Sequence, residues 1–152
     1  MNLVDPLVID TTFLPVATVG YSYGSSLEAS GGTGPYTWTV VTNVLPDGLD
    51  LNTAGTITGI SNRAGATAFT VRLEDAEGLS VEREYQVEAI NPLVILTPSI
   101  PGGTTGVDYS FTMAGSGGRL PHEWAVSSGA LPTGLEMSPN GTISGQPTVT
   151  TN

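Results

Sequence analysis

Apolar and polar residues alternate with a period of two through most of the chain, so strands rather than helices are the predicted elements. Tyr21, Tyr23, Ser25, Leu27 and Ala29 share one parity, and Val107, Tyr109, Phe111 and Met113 repeat that phase later on. Tyr36, Trp38 and Val40 alternate with Thr37 and Thr39, and His122, Trp124 and Val126 repeat it. Phe69, Val71 and Leu73 alternate with Thr70, Arg72 and Glu74, and Val81, Tyr85, Val87 and Ala89 alternate with Glu82, Glu84, Gln86 and Glu88. These last two runs predict a hairpin that turns across Asp75-Ala76-Glu77-Gly78. Further strands are expected to begin near Leu7, Leu49 and Thr56. No segment offers a helical period of useful length.

The repeated phases belong to a tandem duplication. LVIDTTFLPVATVGYSY from Leu7 aligns with LVILTPSIPGGTTGVDY from Leu93, an offset of 86 residues that holds without a gap to the end of the chain. Pro15 meets Pro101, Gly20 meets Gly106, Tyr23 meets Tyr109, Pro35 meets Pro121 and Trp38 meets Trp124. LPDGLDLNTAGTITG from Leu45 meets LPTGLEMSPNGTISG from Leu131. At the same offset, nothing after Ala66 has a counterpart. Residues 1–91 are therefore expected to form a complete repeat, and residues 92–152 a second repeat that lacks its last two strands. At the junction, Pro92 fixes its own φ and holds Asn91 extended, which predicts a short, stiff, rod-like linkage.

About seven short strands per repeat, with turn signals every 8 to 12 residues or so, predict an all-β fold of tandem immunoglobulin-like β-sandwiches, the second copy truncated. Trp38 and Trp124 lie on the apolar phase of their strands and are both expected between the sheets. With no cysteine in the chain, apolar packing alone must hold the sheets together. The missing hairpin would remove on the order of 10 to 20 kcal/mol of gross burial from a domain whose net stability is about 5 to 15 kcal/mol. Residues 93–152 are therefore expected not to fold alone, and to be completed from outside, either by strands of a neighbouring copy or by continuing residues.

The block from Leu45 to Gly59 and its copy from Leu131 to Gly145 carry the pattern LPxGLxL followed by xxxGxIxG. Together with GGTGPYTWTV and FTVRLEDAEG in the first copy, this resembles the Putative Ig repeats of bacterial surface proteins, which are close to dystroglycan-type cadherin-like domains. The resemblance implies a non-catalytic β-sandwich used serially in large secreted, cell-surface or phage proteins, and it brings no catalytic set. Some cadherin-like relatives bind calcium between domains, but this chain has no DxD or DxNDN ligand run.

Composition narrows the chemistry further. The 152 residues hold 14 acidic side chains, four arginines, one histidine, no lysine and no cysteine, for a net charge of −10. Without a basic patch the chain has no surface for nucleic acid. Without lysine or cysteine it has no Schiff-base amine, isopeptide donor, thiolate nucleophile, disulfide or zinc knuckle. Glycine and proline together make up about a fifth of the residues, below the range of disordered low-complexity chains. No apolar run approaches the roughly 18 residues needed to cross a bilayer, and the start MNLVDPLVID lacks the features of a signal peptide. Neither membrane insertion nor a cofactor is expected.

Glu74, Asp75 and Glu77 at the hairpin turn are the only calcium candidates, and a solvated turn shaped by Asp75 and Gly78 accounts for them better. His122 occupies the position of Tyr36 in the other copy and reads as an imidazole standing in for a core-edge aromatic ring. A lone histidine can complete neither a zinc site nor, in one copy only, a triad. The loops SGGTGP and SGGRLP lie between strands with no GK[ST] following, so they read as turns rather than phosphate cradles. Nine of the ten aromatic residues, all except Phe13, are expected on inward phases, which disfavours sugar stacking.

These readings converge on a non-enzymatic structural or adhesive repeat segment of a larger surface or secreted protein, acting as a stiff acidic spacer or interaction module. Its expected partners are proteins, including neighbouring copies through open strand edges of the second repeat. Two alternatives remain: a virion or filament subunit assembled by strand complementation, and a weak carbohydrate-binding module. The corresponding locations are the extracellular space or bacterial cell surface, and the virion.

Overall fold

In the computed structural model, residues 5–42 and 44–148 are described, and the chain divides into two compact units, Met1–Asn91 and Pro92–Asn152. Among the described residues all regular elements are strands. No helix among the described residues is long and apolar enough to cross a membrane.

The first unit contains β1 (Val8–Ile9), β2 (Ala17–Thr18), β3 (Ser22–Ser26), β4 (Ala29–Ser30), β5 (Thr37–Thr42), β6 (Leu49–Leu51), β7 (Thr56–Ile60), β8 (Gly65–Glu74) and β9 (Ser80–Ile90). One sheet has the order β2-β9-β8-β5, the other β3-β7-β6, and β1 and β4 form a separate two-stranded ribbon. All pairs are antiparallel except β2 with β9, which run parallel. Phe69, Val71 and Leu73 of β8 and Val87 of β9 are fully buried, packed with Trp38, Leu49, Ile57, Tyr23, Leu7 and Ile9 in one core. The predicted hairpin is present, closed by Gly78 N–H to the Asp75 carbonyl at 3.1 Å.

Sequence alternation runs on where the strands do not. The single strand read from Tyr21 to Ala29 is two, because β3 ends at Ser26 and β4 leaves to pair with β1. Tyr21 lies in the turn before β3 and is 62% exposed, contrary to its expected inward placement. Its parity is that of Tyr23, but no neighbouring strand extends over it.

The second unit contains β10 (Val94–Ile95), β11 (Tyr109–Thr112), β12 (Gly115–Ser116), β13 (Leu135–Met137) and β14 (Thr142–Gly145). β10 pairs with β12, and β11-β14-β13 form a sheet in the register of β3-β7-β6: Tyr109 faces Gly145 as Tyr23 faces Gly59. The alternating run from His122 to Val126 is not a strand. In the first repeat its counterpart β5 pairs with β8, and among the described residues the second unit has nothing at that place. For the same reason Trp124 is only half-buried, against the expectation that both tryptophans lie sealed between sheets, whereas Trp38 is 3% exposed.

The repeated motif has a steric explanation. Leu49 and Gly59 are cross-strand partners, and β6 and β7 approach so closely that a Cβ on Gly59 would lie 2.0 Å from the Gly48 carbonyl oxygen. A Cβ on Gly48 would lie 2.0 Å from the Ile60 carbonyl oxygen, at a φ of +88° that disfavours any side chain. In the second copy, Gly134 and Gly145 stand in the same relation. Gly55 lets the Trp38 indole lie against bare backbone, and Gly141 does so for Trp124.

Candidate functional site

The three carboxylates singled out for calcium do not form a ligand set. Glu74 and Glu77 are exposed, whereas Asp75 is buried between the β8–β9 turn and the Gly-rich loop that precedes β5. Asp75 Oδ1 accepts the backbone N–H groups of Glu77 and Leu79, each at 2.9 Å. Its Oδ2 accepts the N–H of Thr33 at 3.0 Å, and the Ala76 N–H returns a bond to the Thr33 carbonyl at 2.8 Å. The Thr33 N–H does most to hold the Asp75 carboxyl below its ordinary range; desolvation by burial opposes this, and the N–H groups of Leu79, Glu77 and Gly78 reinforce it. A carboxylate this saturated with amide donors has little left to offer a cation. Among the described residues, no group of three or more His, Asp or Glu side chains is arranged to hold a metal.

Asp75 sits at a turn with Gly78, but it is buried rather than solvated and reaches Thr33, 42 residues away. The acid and the Gly-rich loop are each visible in the sequence. Their meeting depends on how β5 and β8 pair, and no local pattern encodes it.

His122 does what a tyrosine does in the other repeat. Its Nε2 lies 2.8 Å from the Gly117 carbonyl oxygen, where the Tyr36 hydroxyl donates to the Gly31 carbonyl. Both rings pin a Gly-rich loop by its backbone. Tyr23 and Tyr109 likewise donate to the carbonyls of Pro15 and Pro101, at 3.1 and 2.8 Å. Tyr85 donates to the Thr11 carbonyl at 2.7 Å, and Arg83 donates to that of Ile9 at 2.8 Å with its guanidinium over the Tyr85 ring. Burial pushes the Tyr23 and Tyr85 hydroxyls above their ordinary range. The polar reach of these residues is therefore spent on the protein's own loops.

In the first unit the features that remain exposed are modest. Arg72 and Glu82 form an ion pair of 2.6 Å across the outer face of β8 and β9. A depression of about 350 Å³ lies between residues 44–47 and 63–67, with one carboxylate, Asp47, one guanidinium, Arg63, and no aromatic ring. Phe13 and Tyr21 are the well-exposed aromatic residues of the first unit, one more than alternation predicts.

A family described as "Putative Ig domain" matches residues 5–89 and again residues 91–152. No curated protein matches the chain. Among solved structures, extracellular domains 3–5 of Drosophila OTK are similar over 94% of this chain and 53% of theirs, at 14% identity and a TM-score of 0.62. The titin I-band fragment I67–I69 is similar over 96% of this chain and 56% of its own, at 14% identity and a TM-score of 0.54. A putative alpha-galactosidase of Bacteroides fragilis NCTC 9343 matches 55% of this chain and 17% of its own, at 21% identity and a TM-score of 0.48. The chain thus spans about half of the two tandem-domain structures and less than a fifth of the galactosidase. At 14% identity the likeness to the OTK and titin structures concerns the fold.

Proposed function

The chain belongs to the Putative Ig domain family, and on that premise we propose that it is a non-catalytic pair of structural repeats in a larger surface-displayed or secreted protein, serving as an acidic spacer and protein-interaction module. The observation that carries this reading is what the two copies share. At an offset of 86 residues they repeat close-packed glycines, indole on glycine, and ring to loop carbonyl. Those are devices for building a sandwich. Where the two copies can be compared, the residue with potential for chemistry is not repeated: His122 corresponds to Tyr36. A duplicated unit that preserves its scaffold and varies its polar side chains is suited to serial use as a spacer.

The net charge of −10 supports the same reading, because like-charged repeats resist self-association. Antibodies raised against the chain test the location. Intact source cells should bind them, and brief protease treatment of those cells should abolish binding. Antigen confined to cell lysates would refute surface display, and antigen in purified virus particles would favour the particle-subunit alternative.

A further inference from the structure

Asn140 is the only asparagine of the chain that is followed by glycine. The pair is chemically self-reactive, because a glycine nitrogen has no side chain beside it to hinder attack on the asparagine side-chain carbonyl. Asn52 and Asn62 precede Thr53 and Arg63, whose side chains crowd the nitrogen, and Asn91 precedes Pro92, which has no N–H to deprotonate. At the place of Asn140 the first repeat has Ala54, so the reactive pair belongs to the second copy alone.

Asn140 and Gly141 lie in the turn between β13 and β14. The Gly141 N–H donates to the Ser138 carbonyl at 2.9 Å, and Gly141 is buried so tightly that a Cβ would lie 2.8 Å from the Trp124 ring. Asn140 is exposed. Its Oδ1 accepts the Ser138 hydroxyl and, at 3.2 Å, the Thr142 N–H; Ser138 Oγ accepts the same N–H at 3.2 Å. In the closed turn, then, the nucleophile is engaged through its proton and the carbonyl through its oxygen. The two donors would favour negative charge developing on Oδ1. Attack cannot begin, however, until the Gly141 nitrogen gives up its proton, and with it the bond to Ser138.

We propose that Asn140 is a site of spontaneous conversion to aspartate and isoaspartate, and that opening of this turn sets its rate. In the open turn the Gly141 nitrogen loses its proton and bonds to Asn140 Cγ. The Cγ–Nδ2 bond breaks, and Nδ2 takes up a proton and leaves as ammonia, closing a succinimide ring. Water then adds to one of the two ring carbonyls. Breaking the new bond to Cγ gives aspartate; breaking the original peptide bond gives isoaspartate, whose main chain runs through the side chain and is one methylene longer. Either product carries an added carboxylate. The lengthened turn loses the bond from Ser138 N–H to the Thr142 carbonyl and the register of Met137 opposite Ile143. Opening thus leaves a permanent chemical mark on the second repeat, while the first repeat has no asparagine to receive one.

The test incubates the 152-residue chain at mildly alkaline pH, folded and in urea. Peptide mapping with enzymatic methylation of isoaspartate follows each asparagine. Asn140 should convert before any other, and more slowly in the folded chain than in urea by about tenfold or more. Ser138→Ala removes the hydroxyl that ties Asn140 to Thr142, and should speed the folded-state reaction by about threefold or more without changing the rate in urea. Ser138→Asn supplies the residue of the first repeat, where Asn52 Oδ1 accepts the N–H groups of Ala54 and Thr56 at 3.1 and 2.9 Å, and should restore the slow rate. The proposal is overturned if another asparagine converts first or if folded and unfolded chains react equally. It is also overturned if folded Ser138→Ala reacts no faster than the wild type, or if Ser138→Asn reacts as fast as Ser138→Ala.

Discussion

Replacing Trp38 with alanine removes the largest side chain from the core of the first unit. The indole lies between the two sheets, with Leu73 as its partner across the β5–β8 ladder and Gly55 on the opposite layer. Collapse into the resulting space is limited on both sides, because Gly55 has no side chain to move and Leu73 is tied into a central strand. The expected loss is about 3 to 5 kcal/mol, the range for deleting a buried large aromatic. At about 4 to 8 °C per kcal/mol for a domain of this size, the unfolding midpoint of the first unit should fall by at least about 12 °C. Trp124→Ala provides the internal control. Trp124 sits in the other compact unit, so its removal should leave the first unit's transition unmoved. Calorimetry on the wild-type chain and both variants measures the effect, with exchange at Phe69 and Val87 identifying which transition belongs to the first unit. A loss below about 1 kcal/mol for Trp38→Ala, or an equal shift of that transition by Trp124→Ala, would refute the packing argument.

Gly48→Ala should destabilise the first unit by about 2 to 5 kcal/mol, because its Cβ would meet the Ile60 carbonyl at an unfavourable φ. Gly20→Ala, with a similar φ of +82° but open space around the position, should cost only about 1 to 2 kcal/mol in urea denaturation; equal costs would show that conformation, not close approach, governs both sites. The Asp75 carboxyl is held below its unfolded value of 3.8, so its contribution is fully present above that pH and lost as pH falls through the lower folded value. The first unit's thermal midpoint should accordingly drop on acidification below about pH 4, and Asp75→Asn should flatten that limb while lowering the midpoint at neutral pH; an unaltered acid limb would remove Asp75 from the account. Tyr23 and Tyr85 are raised above 10.0 by burial, so their contributions are present below that value and lost as pH climbs through the raised folded values. Circular dichroism should therefore show the first unit weakening above about pH 10 in the wild type, and less so in Tyr85→Phe; an identical alkaline limb in the variant would contradict this.

Where a strand's own alternation decides which side chains are buried, the sequence was sufficient. Phe69, Val71 and Leu73 are fully buried on β8 because that strand has ladder partners on both edges, and the inward parity read from the sequence is the parity observed. Trp124 shows the limit. Its period matches that of Trp38, but burial is conferred by what lies across the sheet, and alternation says nothing about whether that neighbour is in place. Tyr21 marks a smaller failure of the same kind, since parity continues through a turn although the ladder does not. The Asp75–Thr33 bond was illegible for a different reason: two turns distant in sequence meet only once β5 and β8 have paired. The glycine motif was visible as a pattern, whereas its cause, backbone approaching backbone between β6 and β7, required the fold.

The parallel pairing of β2 with β9 bears on how the first unit would respond to tension. β2 lies near the start of that unit and β9 ends it, with Ala17 opposite Ala89 and Val19 N–H bonded to the Ile90 carbonyl at 2.9 Å. When the two ends are pulled apart, strands that run side by side in the same direction slide along their length. Their hydrogen bonds are then loaded together rather than broken one at a time, as they would be if a hairpin were peeled from its open end. Behind the β1–β4 ribbon, this short parallel patch thus acts as a shear fastener between the two ends of the unit.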